Sequence, residues 1–127
     1  MVGIVVVSHS AKVAEGAVEL ARQMAPEAPL AAAGGLPDGG IGTDYDRILN
    51  AIESVMSDDG VIMLVDLGSA IMTSEMAIED CSDPDKVTII DTPIVEGTVF
   101  GAIQSSVGSD KATIETVLAE AKTAPKF

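Results

Sequence analysis

The chain has 127 residues, 47% of them hydrophobic, enough for one domain with a core of its own and no need of disulfides or a structural metal. Twenty Asp and Glu against seven Lys and Arg leave a formal charge of −13, a field that repels nucleic-acid backbones and anionic lipid and argues against a polyanion-binding role. The one cysteine, Cys81, rules out an intrachain disulfide and a Cys-rich zinc site, and fits a reducing cytoplasm.

Met1 to Val7 carries no basic leader region, and no apolar stretch approaches the ~20 residues of a membrane span, so a cytoplasmic protein with no membrane association is expected. Val2 to Val7 is continuous and β-branched, the pattern of a strand covered on both faces. It gives way through Ser8, His9 and Ser10 to a helix beginning at Ala11. Val13, Ala14, Ala17, Val18, Leu20, Ala21 and Met24 recur there at helical spacing, with Ser10 as N-cap and an end before Pro26.

Leu30 to Ala33 is a short candidate strand, followed by a glycine-rich loop from Gly34 to Gly42 that can adopt backbone conformations closed to other residues. Thr43 or Asp44 then caps a second helix bearing Ile48, Leu49, Ile52, Val55 and Met56 on one face. Val61 to Val65 is a second buried strand closing at Asp66, and Leu67, Gly68 and Ser69 open a third helix running through Met72, Met76 and Ile78. Val87 to Ile90 is the last strand, ending at Asp91, and Val95 to Val107 and Lys111 to Lys122 read as helices. The six methionines fall mostly at helical spacing and are expected in the core.

Strands alternating with helices predict an α/β fold: an open, mostly parallel sheet of about four strands with helices on both faces, forming a single domain over residues 1–127. Right-handed crossovers put every strand's carboxyl end on one edge. His9, the Gly34 to Thr43 loop, Asp66 to Ser69, and Asp91 to Gly97 are expected to converge there.

His9 is the only histidine. Such a residue at a strand's end can be purely structural, but its small hydroxyl neighbours Ser8 and Ser10 leave a ring room to react. No cysteine or second histidine is near it in sequence, which suggests a nucleophile or base and no metal. The first carboxylate after it is Glu15, so the intervening helix start is free to hold an anion, with Lys12 nearby. Asp66 either caps the helix that follows or accepts a ring N–H of His9, fixing the tautomer and freeing the other nitrogen. Thr43 and Ser69 stand at helix starts, where they can cap and can also cradle phosphoryl oxygens. The glycine loop alone is weakly specific. No Gly-Lys-Ser or Gly-Lys-Thr occurs, which disfavours direct ATP use, and there is no G-x-S-x-G elbow.

The runs Ile4-Val5-Val6-Val7-Ser8-His9-Ser10, Ile41-Gly42-Thr43, Asp66-Leu67-Gly68-Ser69-Ala70 and Pro93-Ile94-Val95-Glu96-Gly97-Thr98 resemble the phosphotransferase subunits of phosphoenolpyruvate-dependent dihydroxyacetone kinases, relatives of the mannose-family enzyme IIA domains. The resemblance spans essentially the whole chain. It implies a phosphocarrier in which His9 takes a phosphoryl group from the phosphocarrier protein HPr and passes it to ADP on the kinase's nucleotide-binding subunit. Dihydroxyacetone on a third subunit is then the final acceptor. It further implies that Asp66 stands beside His9, that Ser10, Gly42, Thr43 and Ser69 surround the phosphoryl group, and that the protein is a homodimer. No cofactor is bound beyond the phosphoryl group itself, carried as phosphohistidine.

Three other readings remain open on sequence. One is a regulatory domain phosphorylated on His9, and another is a flavodoxin-like module that binds a ligand without chemistry. The third, a histidine-type phosphatase, would want an Arg beside His9 and a second histidine, and the chain has neither.

Overall fold

The computed structural model describes residues 1–127. Four strands, β1 (Gly3–Ser8), β2 (Leu30–Gly34), β3 (Val61–Val65) and β4 (Val87–Ile89), form one sheet in the order β2-β1-β3-β4, and every adjacent pair is parallel. Five helices accompany them: α1 (Ala11–Met24), α2 (Tyr45–Val55), α3 (Ala70–Asp80), α4 (Ile94–Ser106) and α5 (Lys111–Ala121). The predicted α/β architecture is the one observed.

The two-residue period of β1 divides the core in two. Ile4 and Val6 pack with Ile62 and Leu64 against α1, α4 and α5, while Val5 and Val7 pack with Met63 against α2 and α3. Sequence-adjacent β1 and β2 pair on one side of the sheet, and β3 lies on the other side of β1. The direction of strand succession therefore reverses between β1 and β3, the crevice where open α/β sheets place their ligands. His9 follows β1 and Asp66 follows β3, one on each side of that crevice.

Several details differ from expectation. β1 runs on through Ser8, which pairs with Gly34 and is completely buried. A single 3-10 turn, Pro84–Lys86, precedes β4, and the ladder ends at Ile89, one residue early. In α1 the apolar positions span more arc than one face can bury. Ala14, Ala17, Val18 and Ala21 face the sheet, and Val13, Leu20 and Met24 are exposed.

The methionines contradict their expected place. Met63 is in the core, but Met1, Met24, Met72 and Met76 are exposed. In α3 the small residues Ala70, Ser74 and Ala77 take the inner arc and leave Met72 and Met76 outside. Asp44, not Thr43, caps α2, accepting the Arg47 N–H at 3.0 Å. No helix is long and apolar enough to cross a membrane.

Candidate functional site at the sheet switch point

His9 is held from two sides. Its Nδ1 lies 3.0 Å from Oδ1 of Asp66, and its Nε2 lies 2.9 Å from the Ser69 hydroxyl. The ring keeps 22% of its side-chain surface open, so it is anchored yet reachable.

Asp66 receives two donors on each carboxylate oxygen. Oδ2 accepts the His9 backbone N–H at 2.9 Å and the Ser8 hydroxyl at 2.9 Å, and Oδ1 accepts the Leu67 N–H at 2.7 Å and faces the ring. Burial alone would raise this carboxyl. The bonds from the His9 N–H, the His9 ring, Ser8 and Leu67 outweigh burial and hold it below its ordinary value. An ionised carboxylate can only accept, so Nδ1 carries a proton, and the lone pair of a neutral ring then lies on Nε2, facing Ser69. Ser69 then donates to Nε2.

The expectation that Ser69 and Thr43 serve as side-chain caps is not met. Ser69 already has helical backbone angles (φ −65°, ψ −17°), which keep its hydroxyl from the amides one turn on and turn it to the imidazole. The Thr43 hydroxyl bonds Thr73 of α3 at 3.3 Å, tying the glycine loop across the crevice. Asp66 likewise engages the ring and does not cap α3.

Ser10 and Gly42 hold the backbone around His9 and make no hydrogen bond to the ring. The Ser10 hydroxyl accepts the Val13 N–H at 3.4 Å and caps α1, as expected, and its own N–H donates to the Ser8 hydroxyl at 3.0 Å. The Gly42 N–H donates to the His9 carbonyl at 2.8 Å. Gly34, where β2 ends, lies so close to the start of α1 that an added Cβ would sit 2.5 Å from the Ser10 carbonyl oxygen. Next to it, Gly35 turns the chain with a φ of +68°.

The helix starts beside His9 are free of acidic side chains: neither α1 nor α3 has one in its first turn, although the chain carries 20 carboxylates. The N–H groups of Gly68 and Ser69 meet no acceptor within the chain. Ile41, Leu67 and Met72 expose apolar side chains around the same edge. A cavity of about 480 Å³ opens beside Asp66, lined by Ile71, Glu75, Ile89, Ile90 and Asp91. Asp91 thus reaches this edge as expected, whereas Gly97 is buried against Leu64 and Thr92.

Sequence reasoning missed two participants, Ser8 and Thr73. Ser8 was detectable as the single polar residue completing the Ile4, Val6 side of an otherwise apolar strand. Thr73, in the first turn of α3, gave no signal.

The family model described as PTS system fructose IIA component, EIIA-man, matches residues 3–115. The chain belongs to the EIIA-man family. Within or near that family, it is 41% identical over 125 residues to the PEP-dependent dihydroxyacetone kinase phosphoryl donor subunit DhaM of Pantoea ananatis. That alignment covers 93% of this chain and 26% of the Pantoea protein, so the chain spans about a quarter of that relative's length. A DhaM of Listeria innocua, phosphoryl donor subunit of PEP-dependent dihydroxyacetone kinase 2, is 38% identical over 117 residues, covering 90% of this chain and 94% of its own. Among solved structures, the protein of unknown function EF1359 superposes with a TM-score of 0.81 at 33% identity, over 100% of this chain and 98% of that one. The EIIA-man match takes in β1 through the first half of α5, and so includes both sides of the crevice.

Proposed function

We propose that this protein is a phosphocarrier of the phosphotransferase system, serving a phosphoenolpyruvate-dependent dihydroxyacetone kinase. His9 takes a phosphoryl group from phospho-HPr and hands it to ADP on the kinase's nucleotide-binding subunit, which serves the dihydroxyacetone-binding subunit in turn. The protein works as a cytoplasmic homodimer and carries the phosphoryl group as phosphohistidine, with no other cofactor. The observation that carries this reading is the ring held between two partners: a carboxylate on Nδ1 and only a displaceable hydroxyl on Nε2. The names of the DhaM relatives support the choice of kinase.

The step balances on these atoms. The Nε2 lone pair attacks phosphorus in line, the bond from phosphorus to the donor's nitrogen breaks, and that nitrogen keeps the electron pair. The ring gains positive charge as the bond forms, and Asp66, already ionised, stabilises it without moving a proton. Ser69 releases Nε2 and its hydroxyl turns to a phosphoryl oxygen, joined by the Gly68 and Ser69 amides at the start of α3. In the second half, a β-phosphate oxygen of ADP attacks the same phosphorus and the phosphorus–nitrogen bond breaks. The exposed Ile41, Leu67 and Met72 give both partner proteins an apolar edge on which to dock.

Intact-mass spectrometry after incubation with phosphoenolpyruvate, enzyme I and HPr, at neutral to alkaline pH, tests this. One phosphoryl mass is expected on the wild type and none on His9→Ala with its fold intact. A labelled His9→Ala, or an unlabelled wild type, would sink the reading. Addition of the kinase subunits, ADP and dihydroxyacetone should then discharge the label.

A further inference from the structure

Ser8 ends β1 completely buried, with its hydroxyl between two groups that bracket His9. It lies 3.0 Å from the Ser10 N–H and 2.9 Å from Oδ2 of Asp66. An amide can only donate, so the first contact makes the hydroxyl an acceptor there and leaves its one proton for the carboxylate.

The consequence lies in how a carboxylate is aimed. Its two oxygens are joined by rotation about the Cβ–Cγ bond, a broad and soft torsion for Asp. Pinning Oδ2 fixes the plane in which Oδ1 meets the ring. The backbone N–H groups of His9 and Leu67 also reach the carboxylate, on Oδ2 and Oδ1. Ser8 is the donor on Oδ2 that comes from outside His9, anchored in a strand paired on both sides.

We propose that Ser8 is a positioning residue for phosphoryl transfer at His9. Its buried hydroxyl locks the plane of the Asp66 carboxylate, and through it the Nδ1–H tautomer and the direction of Nε2. This rests on the phosphocarrier reading above. It assigns Ser8 a part in the chemistry beyond filling space at the end of a strand.

Because His9 is the only histidine, nitrogen NMR of isotope-labelled protein reports on one ring alone. In Ser8→Ala, the Asp66 carboxyl signal should titrate at higher pH than in the wild type, and a larger share of the neutral ring should carry its proton on Nε2. Transfer from phospho-HPr should slow about tenfold, the scale of one lost hydrogen bond to a charged group. Ser8→Thr, which keeps the hydroxyl on a strand-compatible side chain, should restore all three. In an Asp66→Ala background, Ser8→Ala should cost no further rate, because the path runs through the missing carboxylate.

The proposal is overturned if Ser8→Ala lowers the melting temperature yet leaves the Asp66 titration and the ring signals where they were. It is equally overturned if the rate losses add in the double variant. Should Ser8→Ala fold poorly, Ser8→Cys, with a much weaker donor in nearly the same volume, carries the same readouts. The titration and ring signals require no phosphoryl transfer. A wild type that accepts no phosphoryl group would therefore sink the phosphocarrier reading while those signals still decided whether Ser8 aims Asp66.

Discussion

The Ser69 hydroxyl lies 2.9 Å from Nε2 of His9, so the one ring nitrogen free of Asp66 is covered by a side chain at the mouth of α3. Covering by a hydroxyl keeps the lone pair directed without consuming it, since the bond exchanges readily for one to an incoming phosphoryl oxygen. Ser69→Ala should still accept a phosphoryl group on His9, but at least tenfold more slowly, in line with the loss of one donor aimed at developing charge. Rapid-quench measurement of transfer from phospho-HPr checks this. An unchanged rate would mean that the hydroxyl only shields the resting ring.

Asp66 makes a pH-dependent contribution to stability whose sign follows from its bonds. Its folded carboxyl lies below the ordinary value of 3.8, so the stabilisation is present in full above the unfolded-chain value and is lost as pH falls through the lower folded one. The gap in unfolding free energy between wild type and Asp66→Asn should narrow as pH falls below about 4. Urea titrations across that range measure it. A gap that stays constant into strong acid would show that the carboxylate is not held ionised by its four donors.

The sheet and the meeting of His9 with Asp66 were legible because β1, β3 and β4 are short apolar runs rich in β-branched residues that give way to polar residues, whereas β2, Leu-Ala-Ala-Ala-Gly, carried a weaker signal. Parallel pairing then leaves the strand ends on one edge whatever the helices do. What the helices bury was less legible. Apolar residues surround much of α1 and α3, and periodicity cannot tell which arc will meet the sheet when the small residues Ala14, Ala17, Ala70 and Ala77 permit the closest approach. Of the hydroxyls, Ser10 was legible as a cap, but the partners of Thr43 and Ser69 were not. Ser10, Thr43 and Ser69 all stand beside helix starts, and only the backbone angles decide that Ser69 turns to the ring and that Thr43 bridges to Thr73.

The charge of −13 predicts a salt response. The ion pairs are few, and those of Lys86, Lys122 and Lys126 lie at the surface, where such a pair is worth roughly 0–1 kcal/mol. Screening therefore removes more repulsion between carboxylates than attraction within pairs. The melting temperature should rise between dilute buffer and about 1 M KCl, where the Debye length is ~3 Å. Calorimetry at several salt concentrations tests this, and a falling temperature would mean that the surface pairs outweigh the repulsion.

Gly34 is where the fold holds the start of α1 beneath His9, and its substitution should couple stability to chemistry. A Cβ there would lie 2.5 Å from the Ser10 carbonyl oxygen and 2.9 Å from the Ala11 Cα, and backbone atoms cannot yield as a flexible side chain would. Gly34→Ala should cost about 1–3 kcal/mol, typical of overpacking, by pushing α1 away from β2. The Ser10 to Ser8 bond lies on that same joint, so His9 phosphorylation should slow as well. Gly16→Ala is the control: it adds the same methyl within α1, where nothing lies within 4 Å of the new atom. It should stabilise the helix by about 0.5–1 kcal/mol and leave the transfer rate alone. Denaturant unfolding and phosphorylation kinetics on both variants test the pair, and equal rates in the two would show that the closeness of β2 to α1 has no part in placing the ring.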